Sequence, residues 1–414
     1  MLFINTLLWL YLNFFFGDEV IQDSKMYLLF DAGSSKTRLY YFKMIEDPIE
    51  DWTIGESFEV GKFTALSRYN EASISSIDKQ IAQILNEFEK KVNSTDYASI
   101  PIYLRATAGL RSLNEALASK ILDRCKRKFQ QSKFKYVGDD SAKIFTGQEE
   151  GLWLWVFMNY VLGKFKACGA GNKVEGFDMG GGSTQVATLK TNIKYEDSMA
   201  KDIVKVDFGC PYEVYSVSYE PAGSLANRKK FFANNNMKSD CMAKGVKEEF
   251  KFGDFKEIFE GTGKGGEGTY EKCLEEAIRY ADDEKIVQLW SPEDIPKDLY
   301  LVSGFFYITR TAIAVEKGCT SLDQEGCSLN EYTLTVDDIR RLAKLHCTNL
   351  VKKSEIFYSN YLCIDLVWLE AVLSHGYGIT NSSIELNMID KINGHSAGWP
   401  LGFVYGLARN SILT

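Results

Sequence analysis

Two stretches of the 414-residue chain decide the fold: DAGSSKTRLYYF at 31–42 and DMGGGSTQVATL at 178–189. Each is entered from a short apolar strand, Met26 to Asp31 in one and Glu175 to Met179 in the other, which carries an aspartate to its end. Each turns through glycine and hydroxyl residues and leaves as a second strand, Thr37 to Lys43 and Gln185 to Leu189. Short apolar runs bounded by Gly and Ser read as strands joined by tight turns. The same unit occurring twice predicts a duplicated α/β fold whose halves face each other across a cleft.

The sequence around these units reads as ordinary α/β structure. Ile74, Ile77, Ile81, Ile84, Leu85, Phe88 and Val92 recur at helical spacing. Ile102 to Ala106 reads as a strand, and Ser112 with Glu115 as a capping box opening a helix to about Phe129. Leu299 to Ser303 reads as a strand running into Gly304–Tyr307, and Asp337 to Leu350 as an amphipathic helix. The glycine-rich stretch Gly261 to Gly268 reads as a surface loop. Lys264 is followed by Gly265 rather than Ser or Thr, so it does not make a phosphate-binding GK[ST] turn.

Phosphate oxygens are best reached by backbone N–H groups that carry no side chain, and by hydroxyls. Ser34 and Ser35 in the first turn, and Gly180, Gly181, Gly182 and Ser183 in the second, supply both. Asp31 and Asp178 suit the water shell of a hard divalent cation. Singly, such turns are ordinary; as a pair with matched aspartates they point to a phosphate site. Arg105 to Arg111 adds Thr107, Ala108 and an arginine after a strand. Glu149 and Glu150 stand between Gly147 and Gly151 where an apolar helix begins. A glutamate there complements the helix dipole, or, facing a phosphate, deprotonates a water.

Lys and Arg number 48 against 56 Asp and Glu, a net charge of −8 that argues against nucleic acid as a partner. The three histidines, His346, His375 and His395, are too scattered for a His-rich zinc site. Met1 to Phe16 is almost wholly apolar but shorter than the ~20 residues of a spanning helix. It reads as a signal-peptide core, with a single uncleaved N-terminal anchor as the alternative. The nine cysteines include no CxxC pair; Cys319 with Cys327 and Cys347 with Cys363 read as local disulfides, and the odd count leaves one thiol over. Sequons at Asn93 and Asn381 fit a secreted or endomembrane-lumenal chain.

In chain order, DAGSSKTRLY, ATAGLR, TGQEEG with WVFMNYVLGKF, DMGGGSTQ and GHSAGWPLGF resemble the five signature regions of the apyrase, or ecto-nucleoside triphosphate diphosphohydrolase, family. SGFFY at Ser303–Tyr307 resembles that family's base-binding strand. The resemblance implies an actin-like (RNase-H-like) duplicated two-domain α/β fold with the active site in the interdomain cleft. Residues 26–145 plus 390–414 would form domain I and 146–389 domain II, after a signal or anchor at 1–25. It implies hydrolysis of the terminal phosphate of nucleoside tri- and diphosphates with Ca²⁺ or Mg²⁺, without a phosphoenzyme. Carried over residue by residue, Glu150 is the general base, and Ser183 and Gln185 position the water. Asp31 and Asp178 hold the metal through water, with Trp399 near its shell. Ser34, Ser35, Thr107, Ala108, Gly180, Gly181 and Gly182 contact phosphates, and Gly304 and Tyr307 lie at the base. Lys36, Gly182 and Ser224 depart from the commoner family residues, and the serine at 224 leaves base preference open; oligomeric state is open as well. Two other readings share these turns. An exopolyphosphatase or guanosine-pentaphosphate phosphatase typically has Glu where this chain has Gln185, and a secreted nucleotide-binding protein would not turn over.

Overall fold

Strand β1 (Ser24–Ala32) is buried from Tyr27 onward because it is flanked on both sides, antiparallel by β2 (Lys36–Asp47) and parallel by β4 (Ile102–Ala106). With β3 (Asp51–Thr64) and β5 (Ala142–Ile144) these make a sheet of order β3-β2-β1-β4-β5. The computed structural model describes residues 23–410 except 48–50, 93–95, 170, 172, 254, 353–355 and 357–358. The N-terminal apolar run and the Asn93 sequon lie outside the described residues. Among those described, no helix is long and apolar enough to cross a membrane.

The second half repeats the first. Strands β6 (Glu175–Met179), β7 (Thr184–Leu189), β9 (Pro211–Tyr219), β13 (Leu299–Ser303) and β15 (Leu386–Ile389) stand in the order β9-β7-β6-β13-β15. The senses match as well: β6–β7 and β7–β9 are antiparallel, β6–β13 and β13–β15 parallel. Antiparallel strands β8 (Ile203–Asp207) and β14 (Glu331–Leu334) extend the two edges to seven strands. A separate sheet of β10 (Lys238–Ala243), β12 (Phe255–Gly263) and β11 (Lys247–Phe252) is inserted between β9 and β13.

Strand periodicity sets the layers. Leu28 and Phe30 face the helices α1 (Ser76–Lys91) and α2 (Glu115–Gln130). Tyr27 and Leu29 face the other way, toward α3 (Gly147–Val161) and the C-terminal helix, described below. Asp31, two residues beyond Leu29, continues that second face. In the second sheet Phe177 and Met179 face a core built from α4 (Ser224–Ala233), α5 (Thr269–Asp283), α6 (Gly304–Glu316), α7 (Val336–Thr348) and α8 (Leu362–Glu370). Gly176 instead touches Leu154 of α3, so Asp178 also looks toward α3. One helix therefore covers the face from which both aspartates project. Helix α3 is apolar on all sides, and every residue from Glu150 to Asn159 is buried. The C-terminal helix α9 (Trp399–Ala408) crosses it closely, because Gly402 and Gly406 present no Cβ to Trp153.

Three local expectations change. Helix α2 is capped by Asn114, which accepts the Ala116 N–H, and not by Ser112. Gly304–Tyr307 opens helix α6 instead of continuing a strand. Gly261 and Gly263 belong to strand β12, where a Cβ on Gly263 would lie 1.9 Å from the Asp240 carbonyl oxygen, so these glycines permit strand contact rather than loop freedom. The cysteines pair as Cys168–Cys210, Cys241–Cys273, Cys319–Cys327 and Cys347–Cys363, leaving Cys125 as a buried thiol.

Candidate active site

Helix α3 begins where the two halves meet. Thr146 caps it in a reciprocal capping box with Glu149, which explains the first glutamate of the pair as a structural one. The flanking glycines have the same origin. A Cβ on Gly147 would lie 2.1 Å from Ser218 Cβ, and one on Gly151 would lie 2.6 Å from Ser216 Oγ. The first turn thus rests on β9 and carries Glu150 inward. Glu150 is buried, 7 % exposed. Burial pushes its carboxyl up to about 8, an effect that Arg111 opposes and that Asp178 and Asp31 reinforce.

Arg111 Nη2 donates to Glu150 Oε2 at 3.1 Å and to Ser183 Oγ at 3.3 Å, Nε donates to Glu220 at 2.7 Å, and Nη1 to the Phe145 carbonyl at 2.8 Å. Gln185 Nε2 lies 2.7 Å from Ser183 Oγ, 2.8 Å from Ser218 Oγ and 3.5 Å from Glu150 Oε2. Gln185 Oε1 is buried with no hydrogen-bond partner among the described residues. A free acceptor beside a carboxylate suits a water that donates one proton to each. A cavity of about 320 Å³, lined in part by Arg111, Gln148, Ser218 and Glu220, opens next to this cluster.

The aspartates stand at equivalent register positions: Asp31 opposite Arg38, Asp178 opposite Gln185. Burial lifts both carboxyls to about 6; Asp178 raises Asp31 further while Arg38, 3.5 Å from Asp31 Oδ2, lowers it. Ser303 opposes the rise at Asp178, from a backbone held at φ +56°, a region costly for a residue with a Cβ. Asp178 Oδ1 is buried without a partner among the described residues. Two desolvated carboxylates, one with an orphaned oxygen, fit a hard divalent cation.

The glycine turns meet face to face. A Cβ on Gly181 would lie 2.6 Å from Ser34 Oγ, and one on Gly182 2.8 Å from Ala108 Cβ. Gly109 has its own close contact with the Ser34 Cα. Ser34 and Thr107 are buried and Ser35 is exposed. The structure thus brings Ser34, Ala108, Gly181 and Gly182 together, and it brings Glu150, Ser183 and Gln185 together. Tyr307, 46 % exposed in the first turn of α6, donates to Asp390 Oδ1 at 2.6 Å. Gly304 lets that turn close on the Met179 carbonyl oxygen. Trp399 is buried with its ring edge-on to Phe145 at 5.2 Å. Arg111, Ser218, Ser303 and Arg38 take part as well, although the residue patterns assign them no role. Arg111 was visible within the 105–111 segment, but its partners come from four other segments.

A duplicated sheet with paired glycine turns and aspartates beneath a buried glutamate defines the actin-like phosphate-handling class. The chain belongs to the GDA1/CD39 (nucleoside phosphatase) family, whose model matches residues 19–414. It is 28% identical over 411 residues to ectonucleoside triphosphate diphosphohydrolase 5 of Ailuropoda melanoleuca, covering 94% of this chain and 89% of the relative. It is 26% identical over 409 residues to the nucleoside diphosphate phosphatase ENTPD5 of Homo sapiens, covering 94% and 89%. Among solved structures it resembles a nucleoside triphosphate hydrolase from Neospora caninum, with a TM-score of 0.63, 12% identity, and 94% and 92% coverage. An exopolyphosphatase-like protein shares the fold at a TM-score of 0.50 and 12% identity, covering 93% and 99%. The protein is an apyrase-type enzyme that hydrolyses nucleotide phosphoanhydrides.

Proposed function

We propose that this chain releases the terminal phosphate of nucleoside di- and triphosphates by in-line attack of a water that Glu150 deprotonates. The Glu150–Ser183–Gln185 cluster carries this reading: a buried carboxylate with a raised proton affinity beside a free amide oxygen. Ser183 Oγ and Gln185 Oε1 orient the water, and Glu150 takes its proton. The amides of Gly181 and Gly182, with Ser34, Ser35, Thr107 and Ala108, take the oxygens of the transferred phosphoryl group, while the Gly180 N–H closes the turn by donating to the Ser183 carbonyl at 2.9 Å. Asp31 and Asp178 would hold Ca²⁺ or Mg²⁺ through its water shell, with Trp399 near that shell. Such a cation supplies the positive charge that phosphoryl transfer requires. The exposed Tyr307 ring and the Gly304 backbone receive the base. In this reading α9 belongs with the first sheet, so that 26–145 plus 390–414 form one domain and 146–389 the other. Four disulfides favour an oxidising compartment, secreted or endomembrane-lumenal.

The test is phosphate release from ATP, ADP, GDP, UDP and polyphosphate with Ca²⁺, Mg²⁺ or EDTA, beside Glu150→Gln. Cation-dependent release from nucleotides, reduced about a thousandfold in the variant, is the expected result. Release from polyphosphate alone, or from nucleotides with Glu150→Gln unimpaired, overturns the reading.

A further inference from the structure

Three successive glycines make Gly180–Gly182 well suited to approach phosphate and poorly suited to hold still, since they carry no side chain to lock them. Electrostatic stabilisation of a transition state works only if the donors are fixed beforehand. Within the turn the Gly180 N–H donates to the Ser183 carbonyl at 2.9 Å; further bracing must come from outside it. On one side it comes from Leu225 and from the amides of Ser224, Leu225 and Ala226, which bond the Gly180 and Gly181 carbonyls. Gly182 is reached differently. A Cβ placed there would lie 3.4 Å from Cζ of Phe252.

Phe252 ends strand β11, opposite Phe255, at the tip of the β11–β12 hairpin. The hairpin is already anchored without it. Phe250 stacks on Phe259 at 4.3 Å, Phe259 stacks on Phe232 of α4 at 4.1 Å, and Lys229 of α4 lies over Phe255 at 4.6 Å. Phe250 and Phe259 are buried, whereas Phe252 is half-buried and extends past them to the turn. Hairpin, α4 and glycine turn thus form one connected body, with the Phe252 ring against the one glycine that α4 does not bond.

We propose that Phe252 is a positioning residue for phosphoryl transfer: together with Ala108 its ring covers the side of Gly182 that carries no Cβ and keeps the amides of the second turn aimed into the cleft. The inference rests on the hydrolytic reading above. Its test compares Phe252→Ala, Phe252→Leu and Ile258→Ala, the last an exposed apolar side chain on the same hairpin. For a nucleoside diphosphate, Phe252→Ala lowers kcat about tenfold with KM changed less than about twofold, as expected for misplaced transition-state donors. Phe252→Leu recovers most of the loss, and Ile258→Ala equals the parent. Orthovanadate, which mimics the pentacoordinate phosphoryl group, binds about tenfold more weakly to Phe252→Ala by tryptophan fluorescence. An active parent with Phe252→Ala at half its kcat or better overturns the inference, as does a loss borne by KM alone. A parent that binds vanadate without hydrolysing nucleotides sinks the hydrolytic reading while the vanadate comparison still decides the role of Phe252. A parent that does neither overturns both.

Discussion

Three carboxylates in one cleft oppose one another's ionisation, and the one that must ionise to act as a base, Glu150, is bonded to Arg111. Arg111 is half-buried at the cavity wall, so the pair is partly shielded from solvent. A base with a carboxyl lifted to about 8 works better as the pH rises, and kcat/KM of the free enzyme should climb through about pH 8. Arg111→Gln removes the charge that lowers Glu150 and also the donor to Ser183. The climb should then move up by about one pH unit, and kcat/KM at pH 7 should fall about a hundredfold. A pH–rate profile unmoved by the substitution would show that Glu150 is not the titrating group. At this scale the sequence is informative where chemistry is local. Asp31, Asp178 and Glu150 stand out because turns and a helix start fix their surroundings within a few residues. Arg111 does not, because Phe145, Glu150, Ser183 and Glu220 become its partners only through folding.

Elements were legible in proportion to how far one period dominated them. The repeated strand–turn–strand units are recognisable because alternation and glycine coincide. Gly304–Glu316 was not, since an apolar run suits strand and helix alike, and the break at Ser303 is a backbone event with no residue signature. The role of helix α3 depends on its neighbour α9. Gly402 faces the Trp153 carbonyl so closely that a Cβ would lie 2.0 Å from it, and backbone cannot swing aside as a side chain can. Gly402→Ala should push the helices apart and cost about 3 kcal/mol. Because α3 carries Glu150 at its N-terminal end, activity should fall by more than the loss of folded protein explains. Chemical denaturation beside turnover per folded molecule separates the two; a variant of parental stability refutes the packing argument.

At the scale of the whole molecule, the site works against the fold. Glu150 and Glu175 are buried carboxyls that burial raises to about 8 and about 7, above an ordinary value of 4.5. The folded protein therefore binds their protons more readily than the unfolded chain does. The stability this contributes is complete below about pH 4.5 and is lost as the pH rises through the folded values. Ionising these carboxyls inside the protein as the pH rises toward 8 is a cost that function imposes at one of them, since Glu175 lies at the start of β6, away from the glycine turns. Replacing Glu150 by glutamine keeps the shape and removes one of those ionisations. Thermal melts without divalent cation should show the parent losing stability between pH 5 and pH 8. The decline should be shallower in Glu150→Gln, which should melt roughly 4 °C above the parent at pH 8 while matching it at pH 5. Glu175→Gln should flatten the same decline without touching the chemistry, so that activity distinguishes two substitutions that stability does not. Parallel melting curves for the parent and Glu150→Gln across that range would mean that Glu150 is already ionised in the folded protein at pH 5. The fall in activity on acidification would then have to originate elsewhere in the cleft.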